Sequence, residues 1–162
     1  MEADIEAELD AEAVAEAGAR SIQVHTGGEC AMDAAMTRQV LEEFPAEDLD
    51  LLVLENVGNL VCPAENDTGA SRNVALLSMP EGDDKPLKYP LMFQVCQAVI
   101  VTKTDTRNYF AFDDEAVVRR IRNLNPEAEV MFLSAKTGEG MDAWLRWLES
   151  EIREWKQKTG AL

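Results

Sequence analysis

Basic residues, cysteine and long apolar runs are all scarce in this chain, and each shortage excludes something. Against 31 Asp and Glu there are 15 Lys and Arg, so the net charge is −16 and the pI about 4.3. A surface this acidic repels phosphate backbones, which argues against nucleic acid as a partner. It does not argue against a nucleotide, whose site uses local backbone amides rather than global charge. No run approaches the roughly 18 apolar residues that span a bilayer, so no membrane is expected. Residues 1–17 hold seven acids and no base, the reverse of a secretory signal's positive start, and the cytoplasm is the expected location. Three cysteines, Cys30, Cys62 and Cys96, are too few and too scattered for a disulfide scaffold. Metal binding or burial is the expected role for each.

What is present suits one α/β domain with a buried core: 162 residues, 46% apolar and 28% charged. Residues 21–25 (SIQVH), 51–57 (LLVLENV), 74–79 (VALLSM), 98–103 (AVIVTK) and 130–135 (VMFLSA) read as strands. Most are continuously apolar rather than alternating, as in strands covered on both faces of a mostly parallel sheet. Helical patterns separate them. Residues 9–17 are rich in Ala and Glu and close at Gly18; residues 30–44 carry Met32, Met36, Val40 and Leu41 near helical spacing. Asp113 or Asp114 is expected to cap a helix through Leu124, with Val117, Val118, Ile121 and Leu124 facing inward. The last helix sets Met141, Trp144, Leu145, Leu148, Ile152 and Trp155 along one stripe. Alternating strands and helices predict a doubly wound sheet whose working residues lie in loops at the carboxyl ends of its strands.

The unusual residues fall in those loops. Thr102-Lys103-Thr104-Asp105 directly follows the strand AVIV. A carboxylate there can accept from both N1–H and the 2-amino group of guanine, a pair adenine does not offer, while the lysine stem can lie along the base. Alone, TKTD is a string that chance also produces. Ser134-Ala135-Lys136 follows the next apolar strand about thirty residues on and resembles the guanine-contact loop of GTP-binding proteins. Two such loops in this order favour a GTPase fold over chance. A third segment, residues 51–59, ends a strand at Glu55 and reaches Gly58. A carboxylate at that place can hold a magnesium-bound water, and glycine lets the backbone N–H approach a terminal phosphate; a strand followed by a tight turn reads the same segment equally well.

The resemblance then becomes specific. Glu55-Asn56-Val57-Gly58-Asn59-Leu60-Val61-Cys62-Pro63 resembles the switch and metal segment of the hydrogenase nickel-incorporation GTPases, the HypB family. Val24-His25-Thr26-Gly27-Gly28-Glu29-Cys30, with Asp33-Ala34 after it, is similar to that family's Thr-Gly-x-x-Cys-His segment. The run from Glu81 to Pro90 contains its Asp-Lys-Pro-Leu-Lys-Tyr-Pro stretch, and Glu2-Ala3-Asp4 resembles its Glu-Gly-Asp. The resemblance implies a SIMIBI-class P-loop NTPase fold, here one G domain over residues 1–162 that dimerises on GTP and helps load nickel into [NiFe]-hydrogenase. It implies Glu55, Gly58 and Asp4 as catalytic-site residues acting with Mg²⁺. It assigns guanine contact to Thr102, Lys103, Asp105, Ser134, Ala135 and Lys136, and nickel or zinc to Cys30 and Cys62. A homodimer, a nickel-insertion accessory metallochaperone and the hydrogenase large subunit are the implied partners.

Two departures qualify these expectations. The family's histidine after the first cysteine is Ala31 here, and a second, found in some members, is Ala35. His25, the one histidine, stands at neither place, which leaves Glu29 and Asp33 as candidate oxygen ligands beside the thiols. Nor does the chain contain G-x-x-x-x-G-K-[ST]; the family places that loop, with its strand and helix, upstream of the matching segment. The domain is therefore expected to be incomplete at its amino terminus and its own GTP hydrolysis is left open. Three or four lost charge-assisted bonds at about 1.5–3 kcal/mol each weaken GTP roughly a thousandfold or more. Two other readings stand beside the GTPase: a non-catalytic metal-binding dimerisation module using Cys30 and Cys62, and an inactive fragment.

Overall fold

The computed structural model describes residues 2–4, 14–44 and 46–160. Its contacts divide into two compact units, Met1–Ser71 and Arg72–Leu162. In the first, β1 (Glu2–Asp4) and β2 (Gln23–His25) pair in parallel, with Asp4 opposite His25. Of the helix expected over residues 9–17, residues 14–16 are helical and a turn follows, while residues 9–13 lie outside the described residues. Helix α1 (Ala34–Glu43) starts later than the expected span because Asp33 caps it, its Oδ1 accepting from the Met36 N–H at 2.9 Å. Val24 and Met32 are buried, and Met36, Val40 and Leu54 pack against them. Leu41 stays exposed.

Residues 51–57 do not form the expected strand; Glu55 alone makes an isolated bridge. At the end of the segment Asn56 competes with a ladder: its Oδ1 accepts from the N–H of Val57 at 2.9 Å, and from the N–H of Met32 at 3.0 Å. Leu51 and Val53 face outward instead. A short helix, α2 (Cys62–Glu65), follows.

The second unit holds three parallel strands in the order β3 (Val74–Ser78), β4 (Ala98–Thr102), β5 (Glu129–Phe132). Central β4 is buried from Ala98 to Val101, which is why its sequence is an unbroken apolar run. A 3₁₀ turn (Met79–Glu81), α3 (Lys85–Lys88) and α4 (Pro90–Val95) lie between β3 and β4. Helix α5 (Asp114–Leu124) buries Val117 and Ile121 beneath an Asp113 cap, with Val118 and Leu124 half-buried. Phe93 and Cys96 are fully buried, the latter as a core residue. Helix α6 (Met141–Thr159) departs from the expected buried stripe: Met141, Trp144, Leu148 and Ile152 are half-buried, but Leu145 and Trp155 are exposed. Two devices hold this helix besides burial. Trp144 stacks on Trp147 at 5.4 Å, and Arg72 pairs with Glu151 and, at 3.1 Å, with Glu154. All strand pairs among the described residues are parallel, as the sequence leads one to expect.

Candidate functional site

Strand β4 ends at Thr102, and the chain then turns through Lys103, the one non-glycine residue with positive φ (59°) among those described. A left-handed lysine costs on the order of 1 kcal/mol or more and persists only where its surroundings hold it. Here both the N–H and the hydroxyl of Thr106 donate to the Lys103 carbonyl, at 2.9 and 2.7 Å. The tight turn Thr104–Thr106 lifts Asp105 out of the sheet.

The loop after β5 meets it. Ser134 is fully buried and its hydroxyl donates to Asp105 Oδ1 at 2.6 Å; Lys136 Nζ lies 4.0 Å from Oδ2. The Ser134 bond foremost, then a backbone hydrogen bond at Asp105 and the charges of Lys136 and Lys103, hold the Asp105 carboxyl below its ordinary value against the opposing effect of desolvation. An ionised carboxylate with accepting capacity on both oxygens is what a guanine edge requires. Between the loops run two further bonds, Thr104 N–H to the Leu133 carbonyl at 3.3 Å and the Thr104 hydroxyl to Glu139 Oε2 at 3.0 Å. The Ser134 N–H donates to the Glu139 carbonyl at 2.9 Å. Gly140 closes the turn with φ 75°, and a Cβ there would stand 2.0 Å from the Phe132 carbonyl oxygen, so only glycine fits. Asp105, Ser134 and Lys136 are thus brought together, with Thr102, Lys103 and Ala135 in the same two loops.

In the first unit Glu55 and Gly58 are exposed. A Cβ built on Gly58 meets nothing within 4 Å and its φ is not positive, so the chain's own packing does not require glycine there. Asn59 follows, its Oδ1 accepting from the N–H groups of Val61 at 3.0 Å and Cys62 at 2.9 Å. Asn66 donates to the Cys62 carbonyl at 2.8 Å. This asparagine framework presents Cys62 to Cys30. Interaction with the neighbouring Cys30 thiol, ahead of burial and the charges of Cys30 and Glu65, raises the Cys62 pKa. Both thiols are free; Cys30 is exposed and Cys62 half-buried. Ala31 is buried and Ala35 exposed where the resemblance places imidazoles, and His25 is exposed at the end of β2. The Asp33 carboxylate is engaged in capping α1, which weakens its case as a metal ligand. Among the described residues no group of three or more His, Cys, Asp or Glu side chains converges to hold a metal ion. Asp4 closes β1; only its backbone is described.

Sequence reasoning passed over Asn56, Asn59 and Glu139. Asn59 carries the usual signal of an Asx turn, a short amide beside Gly and shortly before a helix, whereas Asn56 carries none. Glu139 had no signal beyond its place between two glycines.

Residues 1–132 match the family described as CobW/HypB/UreG, nucleotide-binding domain. The hydrogenase maturation factor HypB of Escherichia coli (strain K12) is 44% identical over 151 residues, 93% of this chain and 52% of that protein. The hydrogenase/urease maturation factor HypB of Helicobacter pylori (strain 26695) is 37% identical over 163 residues, 98% of this chain and 67% of that protein. This chain therefore spans about half the length of the Escherichia coli relative it matches. Among solved structures, HypB from Helicobacter pylori in complex with nickel aligns with a TM-score of 0.88 at 38% identity, covering 94% of this chain and 73% of that one. The hydrogenase maturation factor HypB from Archaeoglobus fulgidus aligns at 0.84 with 33% identity, covering 93% and 75%.

Proposed function

From the premise that this chain belongs to the HypB family of CobW/HypB/UreG nucleotide-binding proteins, we propose that it serves [NiFe]-hydrogenase maturation by reading guanine nucleotide and handling nickel. The observation that carries the reading is the anionic Asp105, held by Ser134 at 2.6 Å in a strained turn after a buried strand. Its two oxygens accept from N1–H and the 2-amino group of guanine, and the backbone at Ala135 and Lys136 meets the base's O6.

The metal end lies in the first unit. Nickel is the cargo, and Cys30 and Cys62 are its thiolate ligands; zinc suits the same sulfurs. One chain supplies two sulfurs where a four-coordinate site needs four donors, so two copies across a two-fold axis complete it, and the working form is a homodimer. Magnesium keeps most of its water and takes one or two carboxylates alongside phosphate oxygens, so the single exposed carboxylate of Glu55 fits it. When bound, magnesium neutralises phosphate charge. Gly58 would offer its backbone N–H to a terminal phosphate, and Asn59, which accepts from the Cys62 N–H at 2.9 Å, would link that glycine to the metal ligand. The nickel-insertion metallochaperone and the hydrogenase large subunit, in the cytoplasm, are the partners.

The test is nickel affinity measured on the full chain with GDP and with a non-hydrolysable GTP analogue. One nickel per two chains, an affinity that changes with the nucleotide, and loss of both in Cys30→Ala with Cys62→Ala are expected. Unchanged nickel binding in the double variant defeats the metal assignment.

A further inference from the structure

The bond from Thr104 to Glu139 contacts no base, yet it lies where the two recognition loops must keep register. We propose that Glu139 is a positioning residue for purine selection: by holding the Thr104 hydroxyl it fixes the Asp105 turn against the Ser134 loop, so that both carboxylate oxygens meet the base edge. The inference rests on the guanine-site reading above and names a residue through which that site is built.

Thr104 is buried and follows the left-handed Lys103. A strained residue relaxes unless the chain on either side of it is pinned. β4 pins one side. On the other, the Thr104 N–H reaches the Leu133 carbonyl at a long 3.3 Å, and the stronger link is the charge-assisted one, hydroxyl to Glu139 Oε2 at 3.0 Å. The remaining ties between the loops, Ser134 to Oδ1 of Asp105 and Lys136 to Oδ2 at 4.0 Å, both end on the reading carboxylate itself and so do not fix the turn that carries it. Glu139 is well placed to serve as the anchor. Its carbonyl accepts from the Ser134 N–H at 2.9 Å, and the next residue, Gly140, sits so close to the Phe132 carbonyl that no side chain fits. One residue thereby binds both loops, by main chain to the second and by side chain to the first.

The consequence concerns selectivity more than affinity. Guanine engages Asp105 at two points, N1–H and the 2-amino group, whereas hypoxanthine has only the first. A turn free to shift by a fraction of an ångström keeps a one-point contact and loses the two-point one.

The experiment measures GDP and IDP affinities on the full chain and follows their ratio. Wild type prefers GDP. Glu139→Ala and Thr104→Val each narrow the ratio about five- to tenfold, the worth of one ordinary hydrogen bond because the Glu139 bond acts on the base only through the turn, while Glu139→Gln, whose amide oxygen still accepts from Thr104, keeps it near wild type. Thr104→Val is nearly isosteric and carries the test if Glu139→Ala does not fold. Equal weakening of both nucleotides with the ratio intact overturns the proposal and leaves a merely structural bond. Asp105→Ala separates the two levels. If it collapses the ratio while the Glu139 and Thr104 variants leave it alone, the guanine site stands and the positioning role falls. If Asp105→Ala also leaves the ratio untouched, the guanine site itself is wrong.

Discussion

The hydroxyl of Ser134 donates to Oδ1 of Asp105 at 2.6 Å, joining the loops that follow two adjacent parallel strands. A fully buried neutral donor on one oxygen and a distant lysine on the other leave the carboxylate charged and able to accept more. Recognition of this kind is set by fixed hydrogen bonds more than by net charge, so the −16 of the chain does not argue against the proposed nucleotide site.

A second carboxylate does structural work. Asp83, inside the stretch that most resembles the family, accepts from the Asp113 N–H at 2.9 Å and from the Arg120 guanidinium, tying its turn to the start of α5. The Asp113 N–H first, then Arg120, hold its carboxyl below the ordinary value. Asp83→Ala is expected to lower stability at pH 7 by about 1–3 kcal/mol, read by denaturant unfolding. A depressed folded pKa gives stability that is present above the unfolded value near 3.9 and is lost as pH falls through the folded value. Wild type and variant therefore converge on acidification below roughly pH 4. A gap that persists there means lost packing rather than lost charge.

The three cysteines divide by accessibility. Cys30 and Cys62 are within reach of solvent, whereas burial pushes the Cys96 thiol up to about 11. Titration of the native chain with an aromatic disulfide reagent is expected to read Cys30 and Cys62 promptly and Cys96 only in denaturant. Prompt reaction of Cys96 contradicts its core position.

Two glycines make opposite predictions. Gly140→Ala drives a Cβ against the Phe132 carbonyl from a positive φ, and is expected to cost roughly 2–4 kcal/mol in thermal or denaturant unfolding. Gly58→Ala meets no atom within 4 Å and is expected to change stability by less than about 0.5 kcal/mol. On the proposed switch role, its effect is expected in the difference in nickel affinity between GDP and GTP analogue. A large stability loss at Gly58 means the residue serves folding.

Strands β3 and β4 were legible because a strand covered on both faces is written as an apolar run, and α5 because Asp113 and the spacing of Val117 and Ile121 mark its cap and face. Residues 51–57 misled because their apolar content equals that of a strand, while Leu51 and Val53 face outward and Asn56 takes the Val57 N–H with its side chain, and periodicity cannot report a side chain's choice of partner. The stripe of α6 was correctly ordered but too deeply placed, since spacing gives a face and not its cover. At the candidate site, motif strings pointed to Asp105 and Ser134, which the structure brings into contact, and to Cys30 and Cys62. The pairing of Thr104 with Glu139, 35 residues apart, had no sequence signature and needed coordinates.

The most direct test of the account asks whether Asp105 reads the base. Asp105→Asn exchanges one accepting oxygen for an amino donor, which suits the 2-oxo group of xanthine and not the 2-amino group of guanine. Affinities of wild type and variant for GDP and XDP are the measurement. The account predicts that the variant loses GDP about a hundredfold or more and gains XDP. A variant that binds GDP as wild type does, and ignores XDP, contradicts it.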